Sequence, residues 1–554
     1  MFSPEDKAAG RGAAQGRRPG KMRDVRRASV ARAGGALLAL ALATLVGCAG
    51  QEGGPPTELP AGPGLMTPVA GVLVTGAARS WLYDGPIYEA HPYYFDGTFN
   101  GITQAIPRIA DLGVKTLYLM PIWQQPEGFP TDKARHLRNV YRIPDYTQID
   151  PLYGTPEDLK RLVATAHQNG LKVLFDLILN NTPEGSVIFN NGWVHTIRLS
   201  DIETRVQSAG ARLEQRTVNG QEHVFYGCVQ RQGRQLCEVG GMVVGDQVRL
   251  LHFPRVEWGF APDYTNPELI DYVANLGVSY VREYDIDGWR VDAPGDNWNP
   301  KLVSGDHSIT QLLTRLKLAM ASVKPDTVLL CETASVARQA DPPPVLDGVC
   351  DAAYSQAFYI AVAQGEFPES NPQHLTDLLA AERVGKGGGR VRYLESHDTP
   401  RIADLAPGLE KPYLAMIATI PGIPMIQAGQ ELGATARYGP DLQIDWQGGG
   451  TDLWAFYQRV FTIRNGSDAL KFGSIENVWR SGDPLYAFLR QAPNEQVVVA
   501  INFQDREATA ALSLPLRSGA TLEDVLNNET FTVDRPQELQ ITVPGRGVRI
   551  MIVR

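Results

Sequence analysis

Short apolar runs recur along the chain, and amphipathic segments separate several of them. The clearest runs are 115–121, 172–179, 286–293, 327–333, 391–398 and 423–429. Both faces of these runs are apolar, which is typical of strands buried on both sides of a parallel sheet. The segment 155–170 begins with a capping-box-like Thr155 and Asp158 and ends at Gly170, which predicts a helix. Strands that alternate with helices in roughly eight repeats favour an α/β fold, a (β/α)8 TIM barrel, over an open sheet.

The pattern changes towards the C-terminus. Residues 452–465 form an amphipathic helix, which we take as the last barrel helix. The apolar residues on its one stripe are Leu453, Phe456, Tyr457, Val460 and Phe461. Short strand-like runs separated by turn residues follow, and they predict a small antiparallel β-sandwich over residues 471–554.

The N-terminal segment has a different character. A basic stretch precedes an apolar run over 36–46, which is too short to span a bilayer and has the layout of a secretory signal. The ending Leu45-Val46-Gly47-Cys48 resembles a bacterial lipobox, which implies cleavage before Cys48 and lipidation of its thiol. The alternative is an ordinary signal peptide with a chance cysteine. We expect a lipoprotein signal peptide over 1–47, a Gly/Pro-rich flexible tether over 48–78, and an exported protein anchored to a bacterial membrane on its periplasmic or cell-surface side.

Composition and cysteine usage narrow the class of protein. The 554 residues are 43% hydrophobic, which suffices for a large core, and the formal charge of −9 argues against a nucleic acid partner. Cys228 and Cys237 flank a short polar stretch and could close a disulfide in an oxidising compartment. Cys331 and Cys350 could pair or remain buried thiols. No CxxC pair or histidine cluster suggests zinc.

Charged and polar residues stand near the C-terminal ends of the predicted strands. They are Asp176, Asn180, Arg290, Asp292, Glu332, His397 and Asp398. In a (β/α)8 barrel these strand ends share the face on which active sites form. Each acid alone could be a strand-end cap or half of a structural salt bridge. Their joint occurrence at several strand ends favours one site.

At these residues the chain resembles the α-amylase family of glycoside hydrolases. The matching segments are DGWRVDA at 287–293, CET at 331–333, YLESHDTPR at 393–401 and GIPMIQAGQELG at 422–433, together with 141–155 and 261–269. The resemblance covers about residues 80–470, in the family's order. It implies a catalytic barrel over 79–180 and 263–470, with an inserted domain, domain B, over 181–262. It also implies a retaining enzyme that acts on α-glucosidic bonds.

The resemblance implies roles for individual residues. Asp292 matches the nucleophile, Glu332 the general acid/base, and Asp398 the third acid, which binds sugar hydroxyls and helps to distort the ring. His397 is expected to donate to those hydroxyls, and Tyr141 matches an aromatic platform under the sugar. The charge of Arg290 favours the ionised form of Asp292. We expect Asp176 to orient Arg290 and not to contact substrate.

The chain departs from the family at two places. Asn181 stands where a substrate-binding histidine is expected, which puts substrate preference and rate in doubt. Pro294, Gly295 and Asp296 follow the nucleophile segment, where many starch-cleaving members carry Lys-His. Residues that match Asn180 and Asp263 bind calcium in some members, so calcium is a possible ligand, and a hydrogen-bonded loop without metal is the alternative.

The function expected from the sequence is hydrolysis of α-glucosidic bonds in maltodextrin- or starch-type α-glucans through a covalent glycosyl-aspartate intermediate, without an organic cofactor. A transglycosylase or isomerase of the same family would use the same intermediate. A catalytically inactive sugar-binding relative is the third reading, and the intact acids Asp292, Glu332 and Asp398 argue against it.

Overall fold

The computed structural model describes residues 81–126, 140–208, 210, 212–231, 234–237, 239–252, 256, 259–294, 309–332, 348–369, 372–381, 389–435, 444–446, 451–478 and 484–554. The predicted signal peptide, the tether, Cys48, Gly295 and Asp296 lie outside these residues. Within the described ranges, no helix combines the length and the apolar character needed to cross a membrane.

Eight parallel strands close into a barrel, which confirms the predicted (β/α)8 fold. Around the barrel the strands are β1 (Ile87–Ala90), β2 (Thr116–Leu119), β3 (Lys172–Ile178), β11 (Gly288–Asp292), β12 (Val328–Cys331), β13 (Ala352–Tyr354), β14 (Gly389–Tyr393) and β15 (Ile423–Gln427). The barrel closes where β1 pairs in parallel with both β2 and β15. All strand residues except Lys172 are buried, as expected of strands covered on both faces.

Helices of the barrel domain follow the strands. They are α1 (Phe99–Asp111), α2 (Pro156–Gln168), α5 (Pro267–Tyr284), α6 (Thr310–Ala321), α7 (Gln356–Ala363), α8 (Glu366–Glu369), α9 (Gln373–Ala381), α10 (Ile402–Leu405), α11 (Glu410–Thr419), α12 (Thr451–Asn465) and α13 (Asp468–Phe472). The predicted capping box forms at the start of α2, where Thr155 and Asp158 each accept the other's backbone N–H. In α12 the predicted stripe faces inward, with Tyr457, Val460 and Phe461 fully buried.

The region between β3 and α5 forms a small domain of its own. Its elements are α3 (Val187–Asn190), β4 (Thr196–Arg198), α4 (Leu199–Ser208), β5 (Glu214–Val218), β6 (Gln221–Tyr226), β7 (Val229–Arg231), β8 (Arg234–Leu236), β9 (Val239–Val244) and β10 (Gln247–Leu250). Five of the strands form an antiparallel sheet in the order β4-β10-β9-β6-β5, and β7 and β8 form a separate ribbon. A disulfide joins Cys228 and Cys237 on either side of that ribbon. The longest helix of this domain in the described residues, α4, has 10 residues.

The C-terminal region is an antiparallel β-sandwich, as predicted. Its strands are β16 (Ser474–Asn477), β17 (Tyr486–Ala492), β18 (Glu495–Ile501), β19 (Ala508–Leu512), β20 (Ala520–Asp524), β21 (Glu529–Val533), β22 (Leu539–Val543) and β23 (Val548–Val553). Six strands form one sheet in the order β16-β17-β18-β23-β20-β21, and β19 pairs with β22. Leu489 and Val498 of the larger sheet share a core with Leu512 and Ile541 of the smaller one.

Candidate active site

Three neighbouring barrel strands deliver the central charged residues to one end of the barrel. In the parallel register of β3 and β11, Asp176 lies opposite Arg290, and Asp292 ends β11. Glu332 directly follows β12, and its backbone N–H donates to the carbonyl of Val291 at 2.9 Å. Parallel pairing therefore sets the relative heights of the acids, because each strand ends at nearly the same level.

The guanidinium of Arg290 joins the three carboxylates. Its Nη1 donates to Oδ1 and Oδ2 of Asp176 at 2.8 and 3.0 Å, and to Oδ1 of Asp292 at 2.7 Å. Its Nη2 donates to Oε2 of Glu332. The Arg290 side chain is 0% exposed, so these contacts are made away from bulk water, where charge-assisted hydrogen bonds are strong. Arg290 is thus a buried orienting group that touches both carboxyls of the expected catalytic pair.

The second oxygen of Asp292 is held by an amide. The Nδ2 of Asn180 donates to Oδ2 of Asp292 at 2.7 Å, and the Nδ2 of Asn181 donates to Oδ1 of Asn180 at 2.6 Å. Both asparagines are buried. Asp292 therefore receives a donor on each oxygen, from Arg290 and from Asn180, and the two contacts fix the orientation of its carboxylate.

The environment of Glu332 is different. Burial raises the pKa of Glu332 to about 8, against the attraction of Arg290, and the negative charges of Asp292 and Asp398 raise it further. A carboxyl with this pKa is protonated at neutral pH. It can give a proton to a leaving oxygen and later take one from water.

Asp176 accepts hydrogen bonds from two tyrosines in addition to Arg290. Tyr118 donates to its Oδ2 at 2.5 Å and Tyr141 donates to the same atom at 3.0 Å. Burial raises the pKa of Asp176 to about 6, although Arg290 lowers it, so the group is ionised at pH 7. Asp176 is fully buried and accepts from Arg290, Tyr118 and Tyr141. This position agrees with the expected role of Asp176 in orienting Arg290.

A second cluster of side chains surrounds His397. Its Nδ1 contacts Oε1 of the buried Glu89, and its Nε2 lies 2.7 Å from the hydroxyl of Tyr141 and 3.1 Å from Oδ2 of Asp398. The rings of Tyr141 and His397 stack with centroids 5.1 Å apart. Burial alone would lower the pKa of His397, but Asp398 and Glu89 raise it well above its ordinary value. Asp398 itself is 59% exposed and is therefore accessible to a ligand.

Two features of this site were not expected from the sequence. Glu89, the buried partner of His397, comes from β1, a strand that the apolar pattern did not reveal; its only sequence signal is a lone acid within Ile87–Ala90. The disulfide between Cys331 and Cys350 also lies here, since Cys331 is the residue before Glu332. The sequence had left open whether these two cysteines pair.

The residues considered for calcium do not form a cation cage. Oδ1 of Asn180 accepts from Asn181, and Oδ1 of Asp263 accepts from the N–H and the hydroxyl of Thr265 at 3.0 and 2.7 Å. In the part of the chain that the structure describes, no three carboxylate, imidazole or thiol groups come together as metal ligands. This donor set does not fit calcium, which takes six to eight oxygen ligands.

Comparison with protein families agrees with this geometry. The model of the α-amylase catalytic domain matches residues 70–197, and that of the maltogenic amylase C-terminal domain matches residues 478–550. The chain is thus similar to the α-amylase family in part of its barrel and in its C-terminal domain. The resemblance read from its sequence motifs is thereby confirmed.

Two enzymes are among the named proteins to which the chain is similar. Cyclomaltodextrinase from Thermoanaerobacter pseudethanolicus is 23% identical over 438 residues, which cover 76% of this chain and 66% of that protein. Neopullulanase 2 from Thermoactinomyces vulgaris is 26% identical over 451 residues, which cover 79% of this chain and 68% of that protein. The chain thus spans about two thirds of the length of these relatives.

Solved structures share the fold of this chain. The α-amylase from Geobacillus thermoleovorans, complexed with acarbose, superposes with a TM-score of 0.65 at 19% identity and covers 86% of this chain and 99% of that one. The noncanonic maltogenic α-amylase AmyB from Thermotoga neapolitana superposes with a TM-score of 0.63 at 20% identity and covers 85% and 99%. At these identities the likeness shows the fold.

Proposed function

We propose that this α-amylase-family chain hydrolyses α-glucosidic bonds in maltodextrin- or starch-type glucans with retention of anomeric configuration. The observation that carries the proposal is that the buried guanidinium of Arg290 donates to both Asp292 and Glu332. The surroundings of the two carboxyls differ. Arg290 and Asn180 each donate to one oxygen of Asp292, while burial raises the pKa of Glu332 to about 8. A nucleophile and an acid are thus available together at neutral pH.

The proposed reaction has two displacements at the anomeric carbon. First, a carboxylate oxygen of Asp292 bonds to that carbon as its bond to the glycosidic oxygen breaks, and Glu332 gives its proton to the departing oxygen. Then Glu332, now ionised, takes a proton from water while the water oxygen attacks the anomeric carbon and the ester bond to Asp292 breaks. Two inversions give net retention.

The cluster around His397 is assigned to substrate binding. Asp398 is exposed and can accept hydrogen bonds from sugar hydroxyls. Nε2 of His397 already faces Asp398 and Tyr141, so a sugar that enters meets all three groups together. The half-buried ring of Tyr141 offers an apolar surface to the sugar.

Relatives support α-glucans as the substrate class. The named relatives include cyclomaltodextrinases, a neopullulanase, amylopullulanases and a maltogenic α-amylase. The test is to incubate the full chain with maltoheptaose, pullulan, trehalose and sucrose and to follow products by proton NMR, with Asp292→Asn as control. New α-anomeric reducing ends that the control lacks are expected. Longer oligosaccharides would favour transfer, and no turnover of any substrate would favour the sugar-binding reading.

We further propose that the protein works at a membrane surface through lipid on Cys48. The support is the sequence alone: a basic stretch, a short apolar run and the Leu45–Cys48 ending. A Cys48→Ala chain should appear in the soluble fraction after salt washing, whereas the wild-type chain, which keeps Cys48, should sediment with membranes. If the variant stays with the membranes, the lipid anchor is wrong.

A further inference from the structure

Asn181 occupies the position at which the family resemblance implies a substrate-binding histidine. In this structure its Nδ2 points to Oδ1 of Asn180 at 2.6 Å, and the residue is 6% exposed. The partner that the structure gives Asn181 is thus a neighbouring amide, which itself contacts the nucleophile. This arrangement suggests a different role for Asn181.

Hydrogen-bond chemistry fixes the direction of this chain of contacts. An ionised carboxylate can only accept, so the group of Asn180 that lies 2.7 Å from Oδ2 of Asp292 must be its NH2. The carbonyl oxygen of Asn180 then faces Asn181, which must donate to it. Both residues are buried, so a reversed Asn180 amide would place two acceptors face to face at Asp292 and two donors face to face at Asn181.

We propose that Asn181 is a positioning residue, which locks the Asn180 amide so that its NH2 faces the nucleophile Asp292. This inference rests on the proposed function, because it assigns the nucleophile to Asp292. Loss of the Asn181 donor lets the Asn180 amide rotate, and Asp292 then loses its second hydrogen bond. Arg290 would remain as the donor on the other oxygen.

The hydrogen bond between Asn181 and Asn180 also affects metal binding. A cation at this place would need Oδ1 of Asn180, which Asn181 already occupies. Oδ1 of Asp263 is engaged by Thr265 and lies 3.6 Å from Nδ1 of His195. The hydrogen bond from Asn181 would thus hold the Asn180 side chain in place without a bound ion. Activity should therefore be independent of added calcium.

The kinetic test replaces the donor with an apolar residue that branches at the same carbon. We expect Asn181→Leu in the full chain to lower kcat and kcat/KM together by about 10- to 100-fold, because the contact acts on the nucleophile in the transition state. Asn181→His, which keeps an N–H donor, should restore most of the rate.

Controls separate this role from the alternatives. Asn190→Leu changes an exposed asparagine of the same inserted region and should leave kinetics unchanged. Should Asn181→Leu fail to fold, Asn181→Asp is nearly isosteric, can still accept from a sugar and cannot donate to Asn180. A rise in KM at unchanged kcat would overturn the proposal and return Asn181 to substrate binding.

Calorimetry with calcium chloride gives a readout that does not depend on turnover. We expect neither binding heat nor a rise in Tm when calcium is added to the chelator-treated full chain. Submillimolar binding that Asp263→Asn abolishes would overturn the lock. If the chain binds no calcium yet cleaves no α-glucan, the proposed function fails while the metal-independence of the site stands.

Discussion

Glu332 is the residue whose protonation should set the alkaline limit of the reaction. Burial raises its pKa to about 8, and Asp292 and Asp398 add to this against the opposing charge of Arg290. A general acid acts in its protonated form. The value of kcat/KM should therefore fall as the pH rises through about 8.

This prediction is checked by pH–rate profiles of the wild type and of Glu332→Gln. The variant should lose about 10²- to 10⁴-fold in kcat/KM on maltoheptaose, together with the alkaline limb. On α-maltosyl fluoride, whose leaving group needs no proton, most of the rate should return. An alkaline limb near pH 6, or one that persists in the variant, would mean that another group is the acid.

At this scale the sequence identifies residues better than it identifies their contacts. The residues that stand in recognisable motifs at strand ends are Asp292, Glu332, Asp398, Arg290 and His397. Their hydrogen-bond partners depend on residues that are distant in sequence: the contact between Glu89 and His397 spans 308 positions. For Asn181 the sequence marked the departure from the family, and only the structure gives its partner.

Among the elements, the end of β12 has a covalent constraint. The disulfide joins Cys331, the last residue of β12, to Cys350, which lies two residues before β13. Both cysteines are buried. Because Glu332 directly follows Cys331, the bridge limits how far the acid can move relative to the neighbouring strand.

Removal of this bridge should affect catalysis as well as stability. We expect Cys331→Ser/Cys350→Ser to lower kcat several-fold and to cost about 3 kcal/mol of stability for a closed loop of this length. Cys228→Ser/Cys237→Ser is the matched control, since that bridge lies in the inserted domain, and it should leave kcat unchanged. The measurements are enzyme assays and urea unfolding of both variants. Equal kcat in the wild type and both variants would contradict a role of the Cys331–Cys350 bridge in positioning Glu332.

Asp287 joins elements on the opposite side of the barrel from the site. Its carboxylate, 1% exposed, accepts from Lys172 at 2.9 Å, from His167 at 2.8 Å and from the N–H of Val173 at 2.8 Å, and it pairs with Lys324 at 2.9 Å. Burial would raise the pKa of Asp287, but hydrogen bonds from His167, Lys324 and Val173 hold it well below its usual range. The stabilisation is therefore present above the unfolded-state pKa of about 4 and is lost as the pH falls below it.

Asp287→Asn should thus destabilise the protein by about 3 kcal/mol at pH 7, because it leaves buried donors poorly satisfied. The difference from wild type should shrink when urea unfolding is repeated below about pH 4. Asp285→Asn, at a carboxylate that is 66% exposed, is the control and should change stability by less than about 1 kcal/mol. A difference that stays constant with pH would refute the linkage.

Elements were predictable where their pattern is long and regular. The capped helix α2 and the apolar strands β2, β3, β11, β12, β14 and β15 were found from sequence. Strand β13 was missed because it has only three residues, and β1 because Glu89 interrupts its apolar run.

For the whole molecule, a buried arginine joins the barrel domain to the sandwich. Arg490 of β17 donates from Nε to the carbonyl of Ser474 at 3.2 Å, from Nη2 to that of Gly473 at 2.9 Å, and from Nη1 to that of Thr419 at the end of α11. The side chain is fully buried. It therefore satisfies backbone carbonyls on both sides of the domain boundary.

Arg490→Leu should leave these carbonyls without a donor and lower the free energy of unfolding by about 2–5 kcal/mol. Differential scanning calorimetry should also show the barrel and the sandwich unfolding less cooperatively. Arg554→Leu, at a side chain that is 59% exposed in the same domain, should have little effect. Unchanged stability in Arg490→Leu would show that the carbonyls are satisfied in another way.

The order of domains followed from the sequence, but the packing between them did not. Periodicity alone separated the barrel from the sandwich, and the motifs located the insertion after β3. An arginine in the strand Tyr486–Ala492 gave no sign that it would be buried against Thr419, because a single charged residue in a strand is usually solvated.

Covalent trapping tests the central claim, that Asp292 forms a glycosyl-enzyme intermediate, most directly. The full chain would be incubated with 5-fluoro-α-D-glucosyl fluoride, and its peptides analysed by mass spectrometry. We predict one fluoroglucosyl adduct per chain on the peptide that contains Asp292, absent from Asp292→Asn and slow to form in Asn181→Leu. An adduct on another residue would contradict the account, and so would the absence of any adduct on a chain that cleaves maltoheptaose with inversion.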